Sequence, residues 1–105
     1  VLDSDALVQQ NETYKSWSNK SLWVIVALMD VRKRIGWNLK RLRSAHNLTQ
    51  EAFATDSGFD RGYVSGIERG VRNPSVLVLV RIADALNVDV VDLFDEDAAR
   101  AFSKE

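Results

Sequence analysis

Between Asp30 and Phe94 apolar residues fall at helical spacing, but capping and turn-forming residues cut that pattern into short lengths. The cuts lie at His46-Asn47, Ser57-Gly58, Gly70 and, after the one proline, Ser75. Only short helices fit between them. The first starts at Asp30 with Val31, Ile35, Leu39, Leu42 and Ala45 as its stripe, and ends where Asn47 suits a terminating turn. The second opens at LTQE with the Thr49 hydroxyl as cap, and buries Ala52, Phe53 and Ala54. The third runs from a cap at Asp60 to about Arg69, with Tyr63, Val64 and Ile67 inward and Gly70 just past its end. The fourth spans Ser75 to Leu86 over Val76, Leu79, Val80, Ile82, Ala83 and Leu86. Asp89 caps a last short helix ending near Leu93-Phe94, and the acidic tail from Asp95 to Glu105 is expected to fray. The fold class is all-α, with five short helices in one domain from residue 30 to 94, an extension at 1–29 and a tail at 95–105.

Chemistry is sparse in this chain. It has no cysteine and a single histidine, His46, so neither a disulfide framework nor a zinc site is expected. His46, near a helix end, suits the helix dipole. Nothing matches a nucleophile elbow or a phosphate-cradling glycine loop. Neither enzymatic activity nor a cofactor or metal is expected. Charge is more informative than its total of -1. Asp30 to Asn73 holds nine Lys/Arg against five acids, a net of +4, whereas Pro74 to Glu105 holds three against seven, a net of -4. The split suggests one surface that faces an anion and another turned away from it; a solvated basic helix is the other reading.

The second and third helices, each about eight residues long and joined through Ser57-Gly58-Phe59, describe a helix-turn-helix. Ala54 is small where the helices cross, and Gly58 permits the positive φ of the turn. Glycines recur at 58, 62, 66 and 70. Gly62 and Gly66 fall inside the third helix, where each costs about 1 kcal/mol relative to alanine.

LTQEAFATDSGFDRGYVSGIERGVRNPS resembles the Cro and phage-repressor type of helix-turn-helix regulator, the XRE family. The resemblance spans about Val31 to Phe94. It rests on Thr49-Gln50-Glu51, Ala54, Gly58, the Ser65-x-x-Glu68-x-Gly70 run, Asn73-Pro74-Ser75 and IADALNV. It implies that the third helix lies in the major groove of double-stranded DNA, presenting Arg61, Gly62, Ser65, Gly66 and Arg69. Arg61 is the first expected base contact, since arginine pairs bidentately with guanine. Arg69 and Arg72 then reach bases or phosphates, while Gln50 and Asn73 hold backbone. Arg43 and Glu68 match family positions that form a partly buried structural ion pair. Gly62 and Gly66, bare on the outward face, would let the helix sit deeper in the groove; drift, with readout from the arginines and DNA shape, is the other reading.

The family implies a homodimer through Asn87 to Phe94, here with Val88, Val90, Val91 and Phe94, on a palindromic operator. Leu77 and Val78 widen the apolar surface beyond one helix face. The implied function is sequence-specific transcriptional regulation in the cytoplasm, as a phage-type repressor, a restriction–modification controller or an antitoxin. The alternative is a protein-interaction adaptor of the same fold, whose signature would be acids on the outward face of the third helix. Residues 1–28 are either a tag or upstream sequence before a natural start at Met29, or an arm. In an arm, Trp17, Trp23 and Val24-Ile25-Val26 would pack on Trp37 and offer a surface to a protein partner. The apolar run Ser21 to Met29 is too short to span a membrane.

Overall fold

The computed structural model describes residues 20–105, with side chains from residue 31 onward. Five α-helices and one 3-10 helix follow in order: α1 Lys20–Ala45, α2 Gln50–Ser57, α3 Arg61–Glu68, α4 Val76–Ala85, the 3-10 helix Val90–Phe94, and α5 Glu96–Ser103. The described residues contain no strand. The helix beginning at Asp30 in the sequence pattern instead runs from Lys20, through the Ser21 to Met29 segment. The packing of Trp17, Trp23 and Val24 to Val26 on Trp37 lies outside the described side chains.

Local chemistry sets the ends of the elements. Thr49, Asp60, Ser75 and Asp89 each accept a backbone N–H of the first turn they precede, satisfying amides that the helix itself leaves open. Gly58 and Gly70 take φ of 76° and 75°, and Asn47 takes 57°, so the turns after α2, α3 and α1 all use left-handed residues. Leu39, Phe53, Val64, Ile67, Ile82, Leu86 and Leu93 form the innermost core, to which every element but α5 contributes. Burial of each such side chain is worth about 1.5–3 kcal/mol.

Three inward assignments need correction. Ala45 is exposed at the end of α1. Val76 and Val80 are exposed by 74% and 46%, because α4 turns Leu79, Ile82, Ala83 and Leu86 to the core instead. The VLVLV run is apolar on every side, so its spacing does not choose a face.

The tail does not fray. Asp95 accepts from the Ala98 N–H and starts α5, with Glu96 and Asp97 in the first turn and Arg100 in the last, signs that suit the helix dipole. Ala99 is buried and the Phe102 ring meets Trp37 edge-on, centroids 6.1 Å apart, so α5 packs along α1. Trp37 is thus covered in part from the C-terminal side.

Candidate nucleic-acid interface

The helix-turn-helix is held from three directions. Arg43 of α1 donates to both carboxylate oxygens of Glu68 on α3, at 2.7 and 2.9 Å, and its third nitrogen donates to the Leu48 carbonyl at 2.6 Å. Gln50, the first residue of α2, donates its amide to Glu68 at 3.0 Å. Both charges are largely withdrawn from water, with side-chain exposures of 10% and 4%, and their geometry is the bidentate one that arginine favours. One carboxylate therefore ties together α1, α2 and the end of α3.

A second brace comes from α4. The Arg81 guanidinium lies 4.3 Å from the Phe59 ring centroid and donates to the Ser57 carbonyl at 3.3 Å. It thus covers the turn and places a cation on the C-terminal carbonyls of α2.

A third constraint is a close approach by α1. A Cβ on Gly36 would stand 2.5 Å from the Ile67 carbonyl oxygen and 2.6 Å from that of Glu68. Both obstacles are backbone, so α1 and the end of α3 meet at a distance only glycine allows. Neither Arg81 nor Gly36 stands out in the pattern that marks the helix-turn-helix. A glycine within a helical stretch was the one available signal, for Gly36.

The outer face of α3 is populated as follows. Arg61, at its first position, and Arg69, just past its end, are exposed, and Ser65 is half-buried between them. Gly62 is exposed, and a Cβ there would meet only the Asp60 carboxylate, at 2.9 Å. Gly66 differs from the expectation that it lies bare on the outward face, because it is buried. The Arg72 stem crosses it, and a Cβ would come within 2.6 Å of the Arg72 Cγ. The crossing leads the Arg72 guanidinium carbon to 5.8 Å from the Tyr63 ring centroid. The Val71 and Arg72 N–H groups also donate to the Gly66 carbonyl, at 3.0 and 3.3 Å. A cation from the turn after α3 is thereby laid along α3 itself. Asn73 is exposed in the same turn. Gln50 is half-buried, and its amide is engaged with Glu68 rather than directed outward alone.

The four residues expected at a dimer contact divide into two pairs. Val88 and Val90 pack against the core, whereas Val91 and Phe94 are 67% and 40% exposed. Leu77 on α4, the element that packs against the 3-10 helix, is 76% exposed.

The helix-turn-helix family model HTH_3 matches residues 39–93, which is just over half of the chain and includes α2, the turn and α3. The chain belongs to the HTH_3 helix-turn-helix family. It is accordingly a DNA-binding transcriptional regulator of the XRE type. An uncharacterized HTH-type regulator, y4dJ, of Sinorhizobium fredii is 49% identical over 65 residues, covering 62% of this chain and 84% of that protein. The restriction–modification controller C.AhdI of Aeromonas hydrophila superposes with a TM-score of 0.59 at 43% identity, covering 64% of this chain and 96% of that one. The controller C.Esp1396I, solved as a tetramer on its natural 35 base-pair operator, gives 0.58 at 33% identity, covering 70% and 95%. Among the described residues, no helix is long and apolar enough to cross a membrane.

Proposed function

We propose that this HTH_3 regulator is a non-enzymatic, cytoplasmic homodimer that binds a palindromic operator, with α3 in the major groove. The observation that carries the reading is the outer face of α3. Arg61 stands at its start and Arg69 just past its end, Arg72 overlies Gly66 and Tyr63, Gly62 is bare, and the capping Asp60 is the acid found there among the described residues. Such a face suits guanine edges and phosphates, and lacks the acids an adaptor would show.

Arg61 reads bases, Ser65 and Arg69 flank it, and Arg72 and Asn73 reach backbone or base from the turn. Gln50 holds a phosphate at the amino end of α2, oriented by its bond to Glu68. Among the regulator types, a restriction–modification controller has the best support, because the matched segment spans nearly the whole of two such proteins. Val91 and Phe94, with Leu77, supply apolar surface for the dimer, and Val88 and Val90 support it from within.

Selection of bound duplexes from a random library tests the reading. A two-fold symmetric consensus, its half-sites about one helical turn apart, is the expected result. Recovery of no consensus at moderate salt would contradict it.

A further inference from the structure

We propose that the hollow between α1 and the C-terminal end of α3 seats a backbone phosphate of the bound duplex, with Lys33 and Trp37 as its outer wall. The proposal rests on the operator-binding reading and extends it beyond the residues matched by the family model, since Lys33 and Trp37 precede residue 39.

The hollow has a volume of about 390 Å³ and is lined by Lys33, Trp37, Lys40, Gln50, Glu68 and Arg69. Its one acid is already spent, since both oxygens of Glu68 accept from Arg43 and one also accepts from Gln50. Lys33, Lys40 and Arg69 form no ion pair with any side chain described from residue 31 onward, and the three cations share one concavity. An anion placed among them relieves their mutual repulsion.

Two of the three cations are positioned rather than loose. The Lys40 ammonium lies 5.6 Å from the centroid of the Trp37 ring. The Lys33 stem rests against Gly70, where a Cβ would stand 3.0 Å from the Lys33 Cγ. Gly70 leads into Arg72 and Asn73, so Lys33 stands beside the turn that leaves α3. Gln50 and Arg69 belong both to the hollow and to the proposed DNA face, which makes the two surfaces continuous. The occupant is therefore a phosphate of the same duplex, and the indole offers an apolar wall to its sugar.

A neighbouring hollow of about 320 Å³ shares Lys33 and Trp37 but does not fit an anion as well. Its Arg34 and Arg100 already face Glu96, at 3.8 and 2.6 Å. Their charge is compensated within the protein.

The test uses the full chain, a duplex carrying the selected consensus, and a random duplex of equal length. Affinity is measured by fluorescence anisotropy between about 50 and 200 mM salt for wild type, Lys33→Gln, Lys33→Arg and Arg61→Ala. Glutamine keeps the Cβ and Cγ that rest on Gly70, and Lys33 is exposed, so the thermal midpoint should not move. One lost phosphate contact lowers the salt slope by about 0.9. The wild-type-to-Lys33→Gln affinity ratio should therefore fall about 3.5-fold across this range. The loss should be equal on both duplexes, and Lys33→Arg should restore the slope. A wild-type slope and affinity for Lys33→Gln, with discrimination lost only in Arg61→Ala, would overturn the phosphate seat and leave the operator reading standing. Failure of the wild type to discriminate the two duplexes would overturn both.

Discussion

At the scale of single residues, Gly36, Gly62 and Gly66, the three glycines inside helices, serve three different ends. Gly36 lets α1 touch the backbone of α3, and Gly36→Ala should cost about 1–3 kcal/mol, because the obstructing carbonyls can move only with α3 itself. Thermal or chemical denaturation would measure that loss. Gly66 instead leaves room for a side chain, the Arg72 stem. Arg72 is exposed and free to swing aside, so Gly66→Ala should leave stability within about 1 kcal/mol of wild type, helix propensity favouring alanine. Its effect should appear in binding, as altered discrimination between consensus and single-base variants, since the displaced Arg72 no longer lies over Tyr63. Gly62 alone keeps the open outward face that the sequence pattern suggests for both glycines of α3. Their four-residue spacing was legible in the sequence; what covers each one was not, because Arg72 reaches Gly66 by folding back from a turn.

At the scale of elements, the short helices are fixed by local signals and α1 is fixed by distant ones. The caps at Thr49, Asp60 and Asp89 are legible in the sequence, since a cap bonds within three residues of itself, and Ser75, which reads as the start of its helix, is its cap. Asp95 carries the same signal, with Ala98, Ala99 and Phe102 on one face, yet the surrounding acids disguise it as a solvated tail. Its partner, Trp37, lies far away on α1, so no local pattern reveals that the segment has a surface to pack on. Asn38 has a role hidden from the sequence for the same reason. It is fully buried, and its amide donates to the Leu93 and Asp95 carbonyls at 2.9 and 3.0 Å, while its oxygen accepts from Arg41. Asn38→Leu should destabilise by about 1–3 kcal/mol in thermal or chemical denaturation, the cost of stranding the buried Leu93 carbonyl, with the part-buried Asp95 carbonyl adding less. The Arg43–Glu68 pair lies little more than one turn further along α1. Glu68→Gln would leave Arg43 with an uncompensated buried charge, at a cost of about 3–5 kcal/mol, whereas a surface ion pair such as Arg100–Glu96 should contribute under about 1 kcal/mol. Urea titration of Glu68→Gln and Arg100→Gln side by side would show whether burial separates the two pairs. One helix thus grips α3 through Arg43 and the proposed dimer segment through Asn38.

For the whole molecule, charge and apolar surface divide the work. The basic middle of the chain supplies the proposed DNA face and the hollow beside it, while the net negative C-terminal part supplies α4, the 3-10 helix and α5. On the proposed reading that division keeps seven of the acids away from the phosphates, and it leaves Leu77, Val91 and Phe94 exposed on elements outside the helix-turn-helix. Val91→Glu should therefore weaken self-association at least tenfold in analytical ultracentrifugation, with the helical content of the monomer unchanged. Binding to a single half-site at saturating protein should persist. The most direct test of the central claim, that α3 reads bases through Arg61, is the ratio of affinities for consensus and random duplex at one salt concentration, in wild type and Arg61→Ala. A bidentate arginine–guanine pair contributes about 1–3 kcal/mol of discrimination. The ratio should fall roughly five- to 150-fold per half-site, with random-duplex binding changed far less. An unchanged ratio in a folded Arg61→Ala protein would show that α3 does not read the operator through this residue.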